Sequence, residues 1–139
     1  MNMTRLVLAI VAALVAIFGS DILIHHFWLA PDYEATKSIW RPDKEMESRM
    51  HWMFIAEFFW GTIFVIIWAK GFAGGNVGTG IMLGLLLGLF QAIWVMVDYV
   101  LIPMPGTLAI KWFCSSLVQT TLVGIVVSLV YKPKSRSDS

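Results

Sequence analysis

The chain has 139 residues, 58% hydrophobic and only 14% charged, where a water-soluble domain carries roughly one quarter charged residues. Ten Lys plus Arg against nine Asp plus Glu leave a formal charge of +1, so no basic surplus exists to neutralise a phosphate backbone, which excludes nucleic acid as a partner. The single cysteine, Cys114, lies in an apolar run, which excludes an intramolecular disulfide, a CxxC redox pair and a cysteine zinc cluster.

A mean hydropathy of +0.76 points to a bilayer as the solvent, where a spanning helix needs about 20 residues. The first such run is 6–29. Its apolar core continues past Asp21, and the small-residue cleavage pattern ending at Ser20 is spoiled by Phe18, so it reads as an uncleaved span rather than a signal peptide. Residues 31–49 read as a long, nearly neutral polar loop, with Lys37, Arg41, Lys44 and Arg49 set against Asp32, Glu34, Asp43, Glu45 and Glu47. Pro42 followed by Asp43 suits a helix start, so the second span, 52–69, belongs to a helix that begins about two turns earlier. Lys70 to Asn76 then turns the chain, with glycine and asparagine expected in left-handed conformations. Spans three and four, 80–102 and 108–131, are joined by a tight hairpin at Pro103-Met104-Pro105-Gly106. A basic tail, 132–139, closes the chain.

The predicted fold is therefore all-α: a single transmembrane domain forming an integral membrane four-helix bundle, up-down-up-down, with both termini on the same side. Arg5, Lys132, Lys134 and Arg136 place that side in the cytoplasm by the positive-inside rule, and Trp28, Trp52, Trp68 and Trp112 fall near predicted membrane interfaces. Helices associate in lipid through small residues at four-residue spacing. Such faces occur at Gly80, Gly84 and Gly88, at Ser116, Thr120, Gly124 and Ser128, and at Ala12, Ala16 and Ser20. Their first use is packing within the bundle; a face left over would suit a homo-oligomer or a larger membrane complex.

A charge well inside a bilayer costs about 2.5 to 3.5 kcal/mol on insertion scales, so each one is a functional candidate. At about 1.5 Å per residue, Asp21 lies roughly 12 Å below the outer end of its span and Glu57 roughly 8 to 10 Å below the start of its own. Asp98 and Lys111 are shallower, near the same surface, and read as a salt bridge tying the last hairpin. Each span thus contributes one ionisable group to an outward polar cluster of Asp21, Glu57, Asp98 and Lys111. Asp21 and His25, four apart, share a helix face, as do Glu47 and His51. Thioethers of Met46, Met50 and Met53 with imidazoles would suit copper, and carboxylates with imidazoles would suit iron, manganese or zinc, which makes His25, His26, His51, Glu47 and Glu57 candidate ligands of a transition metal.

No HExxH site, GxSxG turn, Walker loop or GxGxxG loop is present, and no ordinary enzyme class is supported. The layout, with Trp40 in the polar loop, Gly80, Gly84 and Gly88 in the third span, Pro103 and Pro105 in the hairpin, Gly124, and Tyr131-Lys132 before the tail, resembles small four-helix bacterial membrane proteins of unknown function. The resemblance implies a bacterial inner-membrane location and carries over no activity. The leading expectation is a non-catalytic membrane protein, a subunit or self-associating unit whose polar cluster stabilises the bundle or meets a partner. One alternative is a small proton- or cation-coupled transporter or channel using Glu57 and Asp21. The other is a copper- or iron-binding membrane protein.

Overall fold

The computed structural model describes residues 2–132; Lys134 and Arg136 of the basic tail lie outside the described residues. Helix α1, Met3–Asp21, starts at Asn2, whose side-chain oxygen accepts from the Arg5 amide at 3.2 Å, satisfying one of the free amides of a helix start. It runs on into a π-helical stretch, Ile22–Trp28. A short helix, α2, Ala30–Ala35, and a 3-10 turn, Lys37–Ile39, come next. Helix α3, Asp43–Ile67, begins behind Pro42 with Asp43 and Glu45 in its first turn, where negative charge favours the helix dipole. It too ends in a π-helical stretch, Trp68–Phe72. Helix α4, Val77–Leu101, is capped by Asn76, which accepts from the Thr79 amide at 3.0 Å, and α5, Gly106–Val130, begins behind Pro105.

Four of these helices, taken with their π-helical extensions, are long and apolar enough to cross a membrane, and there is no strand among the described residues. Within the polar segment 31–49, α3 starts at Asp43 behind Pro42 as expected, and the part before it, read as loop, holds the short helix α2 opened by Pro31. The turn at 72–76 also differs from expectation. Among the described residues no φ is positive, in glycine or elsewhere; the Gly75 amide donates to the Phe72 carbonyl at 2.8 Å, and Asn76 serves as a cap.

The closest packing is between α4 and α5. A Cβ on Gly80 would run into the Gly124 carbonyl and lie 2.8 Å from Ser128 Cβ, and one on Gly84 would lie 2.7 Å from the Thr121 Cα. On Gly88 it would meet Thr120 Oγ1 and lie 3.2 Å from both Leu117 Cα and the Ser116 carbonyl. The two backbones can approach this far only because these positions carry no side chain. The hydroxyls on the facing helix are satisfied by their own backbone: Thr120 donates to the Ser116 carbonyl at 2.6 Å and Ser116 to the Trp112 carbonyl at 3.0 Å. Gly80, Gly84, Gly88, Ser116, Thr120 and Gly124 are therefore engaged inside the chain. On α1 the buried face is Leu6, Ala9, Ala13, Ile17 and Ser20, rotated from the stripe of Ala12 and Ala16 read in the sequence.

Helix α1 packs on α5 and on α3. The main core joins all four long helices near the chain ends: Leu6, Ala13 and Ile17 meet Phe64, Trp68, Leu83, Val123, Val127 and Tyr131. Trp68 is fully buried and its indole N–H donates to the Tyr131 carbonyl at 3.2 Å. Arg5 Nη1 donates to the Lys132 carbonyl at 2.6 Å, which brings the two ends of the described chain together. Farther from the termini α3 stands off, and none of its residues before Gly61 is buried.

Gly84→Leu is expected to destabilise the protein by about 1 to 3 kcal/mol through overpacking. Gly19→Ala, at a helical glycine with nothing within 4 Å of a new Cβ, should stabilise it by about 0.5 to 1 kcal/mol. Unfolding of the detergent-solubilised chain measures both, and equal effects would contradict the close approach of α4 and α5.

Candidate functional site

Where α3 leaves the other helices, a cavity of about 290 Å³ opens, lined by Ile17, Asp21, His25, Ala56, Glu57, Trp60, Gln91 and Gln119. All four long helices contribute. At about 30 Å³ per water molecule the space holds several waters, and its polar lining makes it a wet site.

Gln119 organises the α1 side. Its amide nitrogen donates to Asp21 Oδ1 at 2.6 Å, and also lies 3.1 Å from Ser20 Oγ and 3.4 Å from the Ile17 carbonyl. Asp21 is fixed by a donor on α5, and Glu57 of α3 lines the same cavity. Neither carboxyl forms an ion pair with Lys or Arg among the described residues.

A chain of polar groups leads outward from Asp21. His25 Nε2 lies 3.9 Å from Asp21 Oδ1, and His25 Nδ1 lies 2.7 Å from the Tyr33 hydroxyl, which accepts from Trp112 Nε1 at 3.0 Å. Since the indole can only donate, the Tyr33 hydroxyl accepts from it and has its own proton available for His25 Nδ1. Burial pushes the Tyr33 hydroxyl above its usual range; the Trp112 hydrogen bond opposes this and Asp32 and Asp21 reinforce it. Tyr33 thus keeps its proton at neutral pH.

The segment between α1 and α3 caps this arrangement. Leu29, Met104 and Leu108 form a second buried cluster, with Tyr33, Ile39, Trp40 and Trp112 packed against it. Trp40 sits 5.8 Å from Trp112, ring centre to ring centre, and donates to Thr36 Oγ1 at 2.9 Å. The aromatic residues of the segment therefore fold onto the α4–α5 hairpin.

Of the polar cluster expected from sequence, Asp21 and Glu57 meet in the cavity. Lys111 and Asp98 line no part of it, and the ion pair expected between them is replaced: Lys111 Nζ contacts Asp32 Oδ2 at 2.7 Å and lies 5.8 Å from the Trp28 ring centre. Asp32, on the capping helix, reaches Lys111 where Asp98, on α4, forms no ion pair among the described residues. Of the candidate metal ligands, only His25 and Glu57 line the cavity. His26, Glu47 and His51 are exposed elsewhere, and no group of three or more His, Cys, Asp or Glu is assembled to hold a metal ion among the described residues. The residues that sequence reasoning missed are Gln91, Gln119 and Tyr33. The two amides are uncharged but interrupt apolar runs, and that was the signal for them. Compared with family models, curated proteins and solved structures, the chain matches none.

A double-mutant cycle of Asp32→Asn and Lys111→Met is expected to give a coupling of about 1 kcal/mol, because the pair is partly shielded from water. Pairing Asp98→Asn with Lys111→Met should give a coupling near zero, and a larger value there would restore the pairing first read from the sequence.

Proposed function

We propose that the protein is a multi-pass protein of the bacterial inner membrane that moves protons or small cations through the Asp21–Glu57 cavity. In this reading the helices run up-down-up-down and both termini are cytoplasmic. Four helices of membrane-spanning length and composition support the multi-pass arrangement, and Arg5, Lys70 and Lys132 support the orientation. The bacterial location rests on the resemblance in layout.

The observation that carries the proposal is the pair of carboxyls from different helices that line one cavity, neither of them paired with Lys or Arg among the described residues. Ionisable groups placed inside a membrane domain are costly, and they mark ion pathways and proton relays. His25 and Tyr33 extend the string of exchangeable protons from Asp21 toward the capping segment. On the other side the cavity ends at Ile17, below which the core of Ala13, Phe64, Val123 and Val127 is packed shut.

Reconstituted vesicles carrying a pH-sensitive dye, with a potassium diffusion potential imposed by valinomycin, test this. Proton entry should exceed that of protein-free vesicles and fall by about tenfold or more in Glu57→Gln, because the amide cannot carry the proton. Glu47→Gln, at an exposed residue outside the cavity, should leave the flux unchanged. A purely architectural cluster, or a subunit role, predicts no flux above the protein-free level in any variant.

A further inference from the structure

His25 stands between two groups that want it in different protonation states. Its Nδ1 lies 2.7 Å from the Tyr33 hydroxyl, and the two rings are stacked, 6.0 Å apart between centres and 11° apart in plane. Its Nε2 lies 3.9 Å from Asp21 Oδ1, beyond hydrogen-bond length. The ring is thus held on the side of the capping helix and stops short of the carboxyl. That placement suits a neutral imidazole, whose Nδ1 accepts the proton that Tyr33 has available. An imidazolium carries protons on both nitrogens and accepts nothing. With Trp112 Nε1 donating to the Tyr33 oxygen at 3.0 Å, protonation of His25 leaves the Tyr33 proton without its acceptor.

We infer that His25 is a two-position switch driven by its own protonation: the neutral ring is held by Tyr33, and the protonated ring turns to Asp21 and supplies the cation that this carboxyl lacks. The charged and titratable groups around the ring agree with the direction of the turn. Asp21, one helical turn earlier, has no Lys or Arg partner among the described residues, and Glu57 of α3 lines the same cavity as His25. The acid from α2, Asp32, is taken up by Lys111 of α5 at 2.7 Å, and His26 is exposed. Protonation therefore removes one hydrogen bond on the Tyr33 side and adds a charge-assisted one on the Asp21 side, and two forms that favour different partners are what a switch requires. The His25 side chain is half exposed and no residue of its π-helical stretch is buried, so the turn displaces no core side chain. Tyr33 stays on Trp112 and Asp32 on Lys111, and the cap keeps its hold on the hairpin while the histidine changes partner. Histidine is the side chain whose charge changes near neutral pH, and the switch does not depend on any flux through the cavity.

The test is NMR of the full chain in detergent micelles with nitrogen-15 in its histidines, of which the sequence has three; His26→Asn and His51→Asn assign the other two. When neutral, the His25 ring should be the Nε2–H tautomer, with nuclear Overhauser contacts to the Tyr33 ring. When both ring nitrogens are protonated those contacts should be lost, while the contacts between Tyr33 and Trp112 persist. Asp21→Asn, which keeps an oxygen for Gln119 and removes the charge, should leave the protonated ring beside Tyr33. Tyr33→Phe, which keeps the ring and removes the hydroxyl, should leave the neutral imidazole without its fixed tautomer. The wild-type comparison needs no variant, and thermal unfolding shows which variants are folded. A neutral ring with its proton on Nδ1 would overturn the switch, as would contacts to Tyr33 that survive protonation. Loss of the Tyr33 contacts in folded Asp21→Asn as well would do the same, and so would loss of the Tyr33 and Trp112 contacts together, since the cap would then be melting rather than releasing one ring.

Discussion

Contact between the backbones of α4 and α5 sets the frame to which the other elements attach. Gly80, Gly84 and Gly124 let the two helices meet without side chains between them, and in a bilayer such contact has to replace the hydrophobic drive that lipid does not provide. One end of the hairpin so fixed carries Trp112 and Lys111, which receive Tyr33 and Asp32 of the capping segment. Its middle carries Gln91, three residues past Gly88, and Gln119, next to Thr120. The amides of the cavity are thus held by residues that are themselves at the tightest contact in the molecule.

Helix α1 is joined to this hairpin by both kinds of force. Ala9, Ala13 and Ile17 pack into the common core, while Gln119 holds the Asp21 end through a carboxylate, a hydroxyl and a backbone carbonyl. Helix α3 with its extension is joined near the chain ends, where Phe64, Val65 and Trp68 are buried, where Trp68 donates to the Tyr131 carbonyl, and where Gly61 lets Leu14 and Ile17 approach. Its earlier turns have no buried residue, although Phe54 still meets the Phe18 ring at 5.7 Å, centre to centre. The cavity lies beside these less buried turns of α3.

Much of this was legible in the sequence, and the parts that were not have definite physical causes. Four helices follow from apolar runs of about 20 residues, and the start at Asp43 follows from proline chemistry. Asp21 and Glu57 stood out because ionised groups are rare in such runs. Gln91 and Gln119 did not, since an amide interrupts an apolar run without carrying a charge, although its four hydrogen-bonding positions must still be met inside the molecule. The partner of Lys111 was misread for another reason. Asp98 is close to it along the hairpin, but pairing is decided in space, and the helical turn at 30–35 brings in Asp32 from far along the chain. The small stripe on α1 was misplaced by one residue, since Ala9 and Ala13 are as small as Ala12 and Ala16 and only the position of α5 and α3 distinguishes them.

The two π-helical stretches bear on how such a cavity could work. One lies directly after Asp21 and contains His25; the other ends α3 and contains Trp68. Each holds a ring that reaches across the molecule, His25 to the Tyr33 hydroxyl and Trp68 to the Tyr131 carbonyl. A π turn has wider spacing than its α-helical neighbours, shifts the register of the residues after it, and recurs at functional sites. At Trp68 the ring is fully buried and the joint is fixed. At His25 the side chain is about half exposed, at 47%, and no residue of the stretch is buried. The packing is therefore tight at the end where the core must stay closed and loose where Asp21 meets the capping segment.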